Sequence, residues 1–202
     1  VMKSRREISL YLPVWVQEST SMRSLINTNM YANNFPKKRY NHTLKFLKTY
    51  INTEESILDL GVENPLSEIL KTEGFDVCNT KGEDLDFSTS LLESKPSDVT
   101  TAFEIFEHLV SPFTVLKSIQ SKKLVASVPL RLWFATAYRS KTDPRDRHFH
   151  EFEDWQFDWL LEKAGWKIIA TEKWTNPTKK IGIRPFLRWF TPRYYIVYAE
   201  RI

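Results

Sequence analysis

Apolar and polar positions along this chain follow two rhythms, and the switches between them predict an alternation of helices and strands. Over 36–51, Tyr40, Leu44, Leu47 and Ile51 recur at helical spacing, while Lys37, Lys38, Lys45 and Lys48 take the other side. This predicts an amphipathic helix with Pro36 in its first turn. Short apolar runs at 56–60, 75–80, 98–103 and 123–128 are too brief for helices and read as buried strands. Helices are predicted between them at 66–72, where Gly74 follows as a stop, at 88–93 and at 112–121. A further helix is predicted over 152–164, with Phe152, Trp155, Trp159 and Leu160 near one face and Gly165 closing it. Two last strands, 166–174 and 194–201, flank a basic, aromatic excursion at 177–192.

A strand, helix, strand order implies right-handed parallel crossovers. With 202 residues the chain has room for one domain with a substantial core. Residues 36–202 are expected to form it. Residues 1–35 read as an extension ending in a Ser, Thr and Asn-rich lid. The start, Lys3-Ser4-Arg5-Arg6 and an apolar run, imitates a secretion signal, but Pro13 interrupts the run and no small-residue cleavage site follows.

Charge and composition narrow the class. Seven Lys or Arg against one acid in 173–202 make the carboxyl end basic, while the rest is slightly acidic. Such an end suits phosphate-bearing partners or a membrane surface, and equally a solvated strand edge. No nucleic-acid motif accompanies it, and no window is apolar enough for a membrane span. The single cysteine, Cys78, excludes an internal disulfide or a cysteine metal cluster and fits a reducing, cytoplasmic setting. Seven Trp and thirteen Phe exceed what a small core needs, so a Trp-rich core and an aromatic-lined pocket both remain open.

Two segments carry the chemistry. Ser56-Ile57-Leu58-Asp59-Leu60-Gly61 and Asp98-Val99-Thr100-Thr101-Ala102-Phe103-Glu104-Ile105-Phe106-Glu107-His108 are apolar runs ending in acidic or small residues, as buried parallel strands do where they open onto a ligand crevice. Together they resemble the class I S-adenosylmethionine-dependent methyltransferases. The resemblance implies an α/β, Rossmann-like, doubly wound and mostly parallel sheet with an antiparallel closing strand, here shortened between strands two and four. It implies S-adenosylmethionine as cofactor, held by Asp59, Gly61, Glu63, Asn79, Thr80, Asp84, Leu85, Ala102, Phe103 and Glu104. Asp84 would serve either the ribose or the adenine amino group, with Leu85 against the ring. The chain departs from the family where Glu63 and Pro65 replace two glycines, and where Asn79-Thr80-Lys81 replaces the acid that ends strand two. His108 is read as a base, or as a cap for Glu107 and the adjoining helix.

The segment from Asp143 to Phe152 gathers Arg145, Arg147, His148, His150 and three acids after the last parallel strand, which makes it the best acceptor site. His148 is favoured as the catalytic histidine there. Tyr31, Phe35, Arg139, Arg147, His150 and Arg184 are the expected acceptor contacts, and guanidinium forks favour an acidic or phosphate-bearing group. His148-x-His150 with neighbouring acids is also a weak metal pattern. Displacement chemistry needs no ion, so none is expected. The leading expectation is a methyltransferase for a small-molecule or end-group acceptor. Its rival is a non-catalytic binding protein on a degenerate methyltransferase fold.

Overall fold

The computed structural model describes residues 36–178 and 180–202. The expected extension and lid, with the acceptor contacts assigned to Tyr31 and Phe35, lie outside these residues. Helix α1 (Lys37–Tyr50) precedes β1 (Ser56–Asp59), α2 (Pro65–Thr72), β2 (Asp76–Asn79), α3 (Ser90–Ser94) and β3 (Val99–Phe103). Then come α4 (Pro112–Ser118), β4 (Lys123–Pro129), α5 (Asp154–Lys163), β5 (Trp166–Thr175), α6 (Ile183–Leu187) and β6 (Pro192–Arg201). Short 3-10 turns at Phe106–His108 and Pro144–Asp146 shape the loops after β3 and β4.

The six strands form one sheet in the order β2-β1-β3-β4-β6-β5. Strands β2, β1, β3 and β4 are parallel, and β6 runs antiparallel between β4 and β5. The chain winds outward from β1 to β2 and then crosses back to place β3 on the other side of β1. The carboxyl ends of β1 and β3 therefore flank a topological switch point, where sheets of this kind open a crevice. Between β2 and β3 the described residues hold only α3, which accounts for the shortening expected from sequence.

Strand periodicity sends alternate residues to opposite faces. Leu58, Leu124, Ala126 and Val197 enter one core layer with Val115 and Leu116 of α4 and Phe157 and Leu161 of α5. Ile57, Val99, Val125 and Ile196 enter the other with Phe46 and Leu47 of α1 and Leu66 and Leu70 of α2. Polar residues inside β3 are satisfied locally. Ser121 Oγ donates to Thr100 Oγ1 (2.8 Å) and Thr101 Oγ1 donates to Asp59 Oδ1 (2.6 Å).

Helix α5 corrects one expectation. Its buried side is Phe157 and Leu161, both fully buried, while Trp155 and Trp159 stand exposed and pack edge-to-face at 4.8 Å. Phe152 is buried but precedes the helix, in an isolated bridge to Leu130. The abundant aromatics divide between roles: Trp166 and Trp174 are core, whereas Trp133, Trp155, Trp159 and Trp189 face outward. No helix among the described residues is long and apolar enough to cross a membrane.

Candidate active site

At the end of β1, Asp59 is almost fully buried (3% exposed) and collects three side-chain donors. Thr101 Oγ1, Asn79 Nδ2 (2.9 Å) and Ser67 Oγ (3.3 Å) all donate to its carboxylate. Burial pushes this acid up to about 6, against the opposing effect of those hydrogen bonds. Asp59 thus ties together β1, β2, α2 and β3 from inside, instead of facing the crevice.

Gly61 turns the chain out of β1 with φ +116°, a conformation open to glycine and strained for other residues. Its N–H donates to Thr80 Oγ1 (2.7 Å), and a Cβ there would lie 3.4 Å from Ile105 Cδ1. The following loop is held by Asn64, whose Oδ1 accepts from the Leu66 and Ser67 N–H groups and caps α2, with Pro65 in the first turn. Glu63 is exposed and pairs with Lys71. The two replaced glycines therefore yield a capped helix start.

Asn79 replaces an acid at the end of β2. Its Nδ2 group also reaches Ser67 Oγ (3.0 Å), yet its Oδ1 is buried without a hydrogen-bond partner among the described residues. An orphaned acceptor costs about 1–3 kcal/mol. A ligand hydroxyl donated to this oxygen would remove that cost. The orphaned Oδ1 and the side-chain-free Gly61 fit a ribose-bearing cofactor at this strand edge.

Further along, Asp84 Oδ1 accepts from the Asp86 N–H (3.1 Å), and Asp86 accepts from the Val110 and Ser111 N–H groups at 2.8 Å each. Leu85 and Ala102 are buried in the core, so Ala102 offers the crevice no side-chain surface. Phe103 is half-buried against the layer holding α1 and α2.

Glu104 leaves β3 with φ +57°, the one non-glycine residue of positive φ among those described. Such backbone costs about 1–3 kcal/mol and persists where its surroundings hold it. Here the Glu104 N–H donates to Ser127 O (3.0 Å), Ser127 Oγ donates to Oε1 (2.9 Å), and Oε2 pairs with Arg39 of α1 (3.4 Å). Arg39 is a partner of Glu104 that the lysine-rich pattern of α1 hid at the level of sequence.

Beyond it, Glu107 is buried (1% exposed) while His108 and His148 are half-buried. His108 Nδ1 lies 3.0 Å from Arg147 O, so that nitrogen donates and Nε2 is left facing Glu107 Oε1 at 3.7 Å. Glu107 Oε2 has no hydrogen-bond partner among the described residues. Burial first, and the charge of Glu104 second, hold the Glu107 carboxyl well above the ordinary carboxylate range. Burial, then His108, lowers His148 to about 4, leaving its ring neutral near pH 7.

A cleft of about 690 Å³ opens beside this cluster, lined by Tyr138, Arg139, Ser140, Lys141, Arg147, His148 and Phe149. Arg139, Arg147 and His148, all singled out from sequence, meet there. His150 does not join them: its Nε2 lies 3.3 Å from Val110 O and its ring stacks on Phe152. Arg184 sits exposed on α6, outside this lining.

No protein-family model and no curated protein matches the chain. Solved structures do. A SAM-dependent methyltransferase from Archaeoglobus fulgidus superposes with a TM-score of 0.60 at 14% identity, covering 89% of this chain and 99% of that one. The 1,6-didemethyltoxoflavin-N1-methyltransferase of Burkholderia thailandensis, solved with 1,6-didemethyltoxoflavin and S-adenosylhomocysteine, gives 0.53 at 12% identity and 91% of both chains. This chain has the class I methyltransferase fold. The same fold is shared by the [4+2]-cyclase SpnF, with a TM-score of 0.50 at 12% identity over 80% of this chain and 81% of that one.

Proposed function

We propose that the chain is an S-adenosylmethionine-dependent methyltransferase whose small-molecule or end-group acceptor carries an acidic or phosphate group. The observation that carries this reading is the convergence of Gly61, Asn79 and Glu104 at the switch point, with the cationic cleft fastened to the turn that follows β3. When bound, the cofactor supplies an electrophilic methyl group whose transfer is an in-line displacement, so alignment and exclusion of water are the protein's main tasks.

In this reading Asn79 Oδ1 and the Thr80 segment hold the ribose, with Asp84 toward the base, while Leu85 supports that loop from the core. Gly61, Phe103 and Glu104 border the methionine half. Arg139 and Arg147 orient the anionic part of the acceptor, since a guanidinium fork pairs with carboxylate or phosphate through two parallel hydrogen bonds. His148, neutral near pH 7, and the free Nε2 of His108 are the proton acceptors nearest the cleft.

One observation favours a second reading, a binding protein on a degenerate fold. The N–H groups of Gly61, Leu66 and Ser67 are already accepted by Thr80 and Asn64, which removes donors from the cofactor loop. The fold of a [4+2]-cyclase shows that methyl transfer does not follow from architecture. Calorimetric titration with S-adenosylhomocysteine decides between the two. Saturable binding is the expected result, and neither heat nor thermal shift at millimolar ligand would leave only the second reading.

A further inference from the structure

We propose that Glu107, His108 and His148 form a binding site for one divalent transition-metal ion of the zinc class, at the edge of the cationic cleft. Each residue offers one ligand atom, and the three atoms lie within 4.8 Å of one another. Two imidazole nitrogens and one carboxylate oxygen form a borderline donor set suited to zinc, cobalt or iron rather than magnesium or calcium.

Three further features make this more than a chance cluster. First, His108 presents the arrangement of a metal-binding imidazole: Nδ1–H donates to the backbone carbonyl of Arg147, which fixes the tautomer and leaves Nε2 bare on the side of Glu107. Second, Glu107 Oε2 is a buried carboxylate oxygen with no hydrogen-bond partner among the described residues, in a position where an unpaired polar atom is costly. A cation held on the Oε1 side of this carboxylate, the side that faces His108 Nε2, offsets the cost of burying its charge. Third, the arrangement is braced: the Phe149 and His150 N–H groups donate to Glu107 O at 2.8 and 3.2 Å, so the loop bearing His148 is fastened to the turn bearing Glu107 and His108.

Closing the site takes little movement. Tetrahedral zinc with bonds of about 2.0–2.2 Å places its ligand atoms roughly 3.3–3.5 Å apart. His108 Nε2 and Glu107 Oε1 are already at 3.7 Å. Only His148 must approach, and its ring is bordered by His108 and Tyr138 at centroid distances of 4.7 and 4.5 Å. Three protein ligands leave a fourth position open, as in catalytic rather than structural zinc sites. Since His148 lines the cleft, that position is available to an oxygen of a bound acceptor. This consequence for the acceptor rests on the methyltransferase reading, whereas ion binding does not. Neither displacement chemistry nor the single cysteine, which argued against an ion from sequence, bears on this cluster.

The test uses tag-free chain stripped with chelator and titrated calorimetrically with Zn²⁺, in the absence of cofactor, with Co²⁺ as a spectroscopic probe. One equivalent of zinc should bind, and cobalt should give visible bands of a nitrogen and oxygen site of low coordination number. His108→Ala, His148→Ala and Glu107→Gln should each weaken zinc binding by about tenfold or more, while His150→Ala should leave it unchanged. Should a substitution at Glu107 or His108 lower the melting temperature of the metal-free chain, His148→Ala and His148→Asn decide, because that ring lies on the loop. The proposal is overturned if the parent chain takes up no stoichiometric zinc, if uptake survives in both His148 variants, or if His150→Ala abolishes it. Binding of S-adenosylhomocysteine is measured separately, so failure of the ion site and failure of the methyltransferase reading are distinguishable.

Discussion

The ring of His108, in the turn after β3, meets that of His148, in the loop after β4, edge-on with centroids 4.7 Å apart. Around this contact the His108 ring donates to Arg147 O, and Glu107 O accepts the Phe149 and His150 N–H groups. The wall of the cationic cleft is thereby fastened to the turn that leaves β3.

That linkage has a direct test. His108→Ala removes one of the ties on a loop rich in tryptic sites, namely Arg139, Lys141, Arg145 and Arg147. Limited trypsinolysis of the folded variant should cut within 139–147 several times faster than in the parent chain. An unchanged rate would mean that the backbone bonds to Glu107 suffice to hold the loop.

Gly61 offers a test of cofactor placement. Gly61→Val puts a β-branched side chain at φ +116° and crowds Ile105, so it should abolish S-adenosylhomocysteine binding. Because strain of about 1–3 kcal/mol accompanies it, Gly61→Ala is the companion variant, expected to weaken binding while retaining a cooperative melt. Normal affinity in both would put the ligand elsewhere.

Much of the fold was legible because two signals are local. Runs such as Ile57-Leu58 and Val99 to Ala102 are too apolar and too short for anything but buried strands, and the lysines of α1 mark its solvent side. The buried side of α5 is not legible in the sequence because both of its sides carry an apolar pair at helical spacing, Trp155 with Trp159 and Phe157 with Leu161. The pattern is symmetric, and packing against the sheet selects the second pair. The strand-end motifs marked Gly61 and Glu104, both of which turn the chain with positive φ, but not the inward turn of Asp59, which depends on donors from three other elements. Nor could spacing reveal that His148 pairs across space with Glu107 and His108 while its neighbour His150 turns to Val110 and Phe152.

The orientation of α5 predicts unequal costs. Leu161→Ala empties part of a fully buried position and should destabilise by about 2–5 kcal/mol in urea titrations. Trp159→Ala removes an exposed ring and its contact with Trp155, and should cost no more than about 1 kcal/mol. The reverse order would mean that α5 buries its tryptophans.

For the acceptor, Arg139 and Arg147 should be separable from the cofactor. Once a substrate is found, Arg147→Ala should raise KM or abolish turnover while S-adenosylhomocysteine affinity stays within about twofold; loss of one charge-assisted pair is worth about 1.5–3 kcal/mol, or some ten- to hundredfold in kcat/KM. Arg147→Lys should recover part of it, since a lysine keeps the charge and loses the fork. Unchanged kinetics in Arg139→Ala and Arg147→Ala would remove the cleft from the acceptor site.

Asp59 makes the last prediction, in which the sign differs from that of an ordinary paired acid. Its folded value, about 6, lies above its ordinary 3.8, so the folded state binds the proton more tightly than the unfolded chain does. The contribution to stability is therefore fully present below about pH 4 and is lost as pH rises through 6. The whole difference amounts to about 3 kcal/mol, of which roughly half falls between pH 5 and 8. Asp59→Asn cannot ionise, and whatever its amide costs against Thr101, Ser67 and Asn79 is the same at every pH. The stability of Asp59→Asn relative to the parent, from urea titrations, should hence rise by about 1–1.5 kcal/mol from pH 5 to pH 8. A flat difference would mean that the three donors hold Asp59 ionised at or below its ordinary value, since a lowered acid titrates beneath this window.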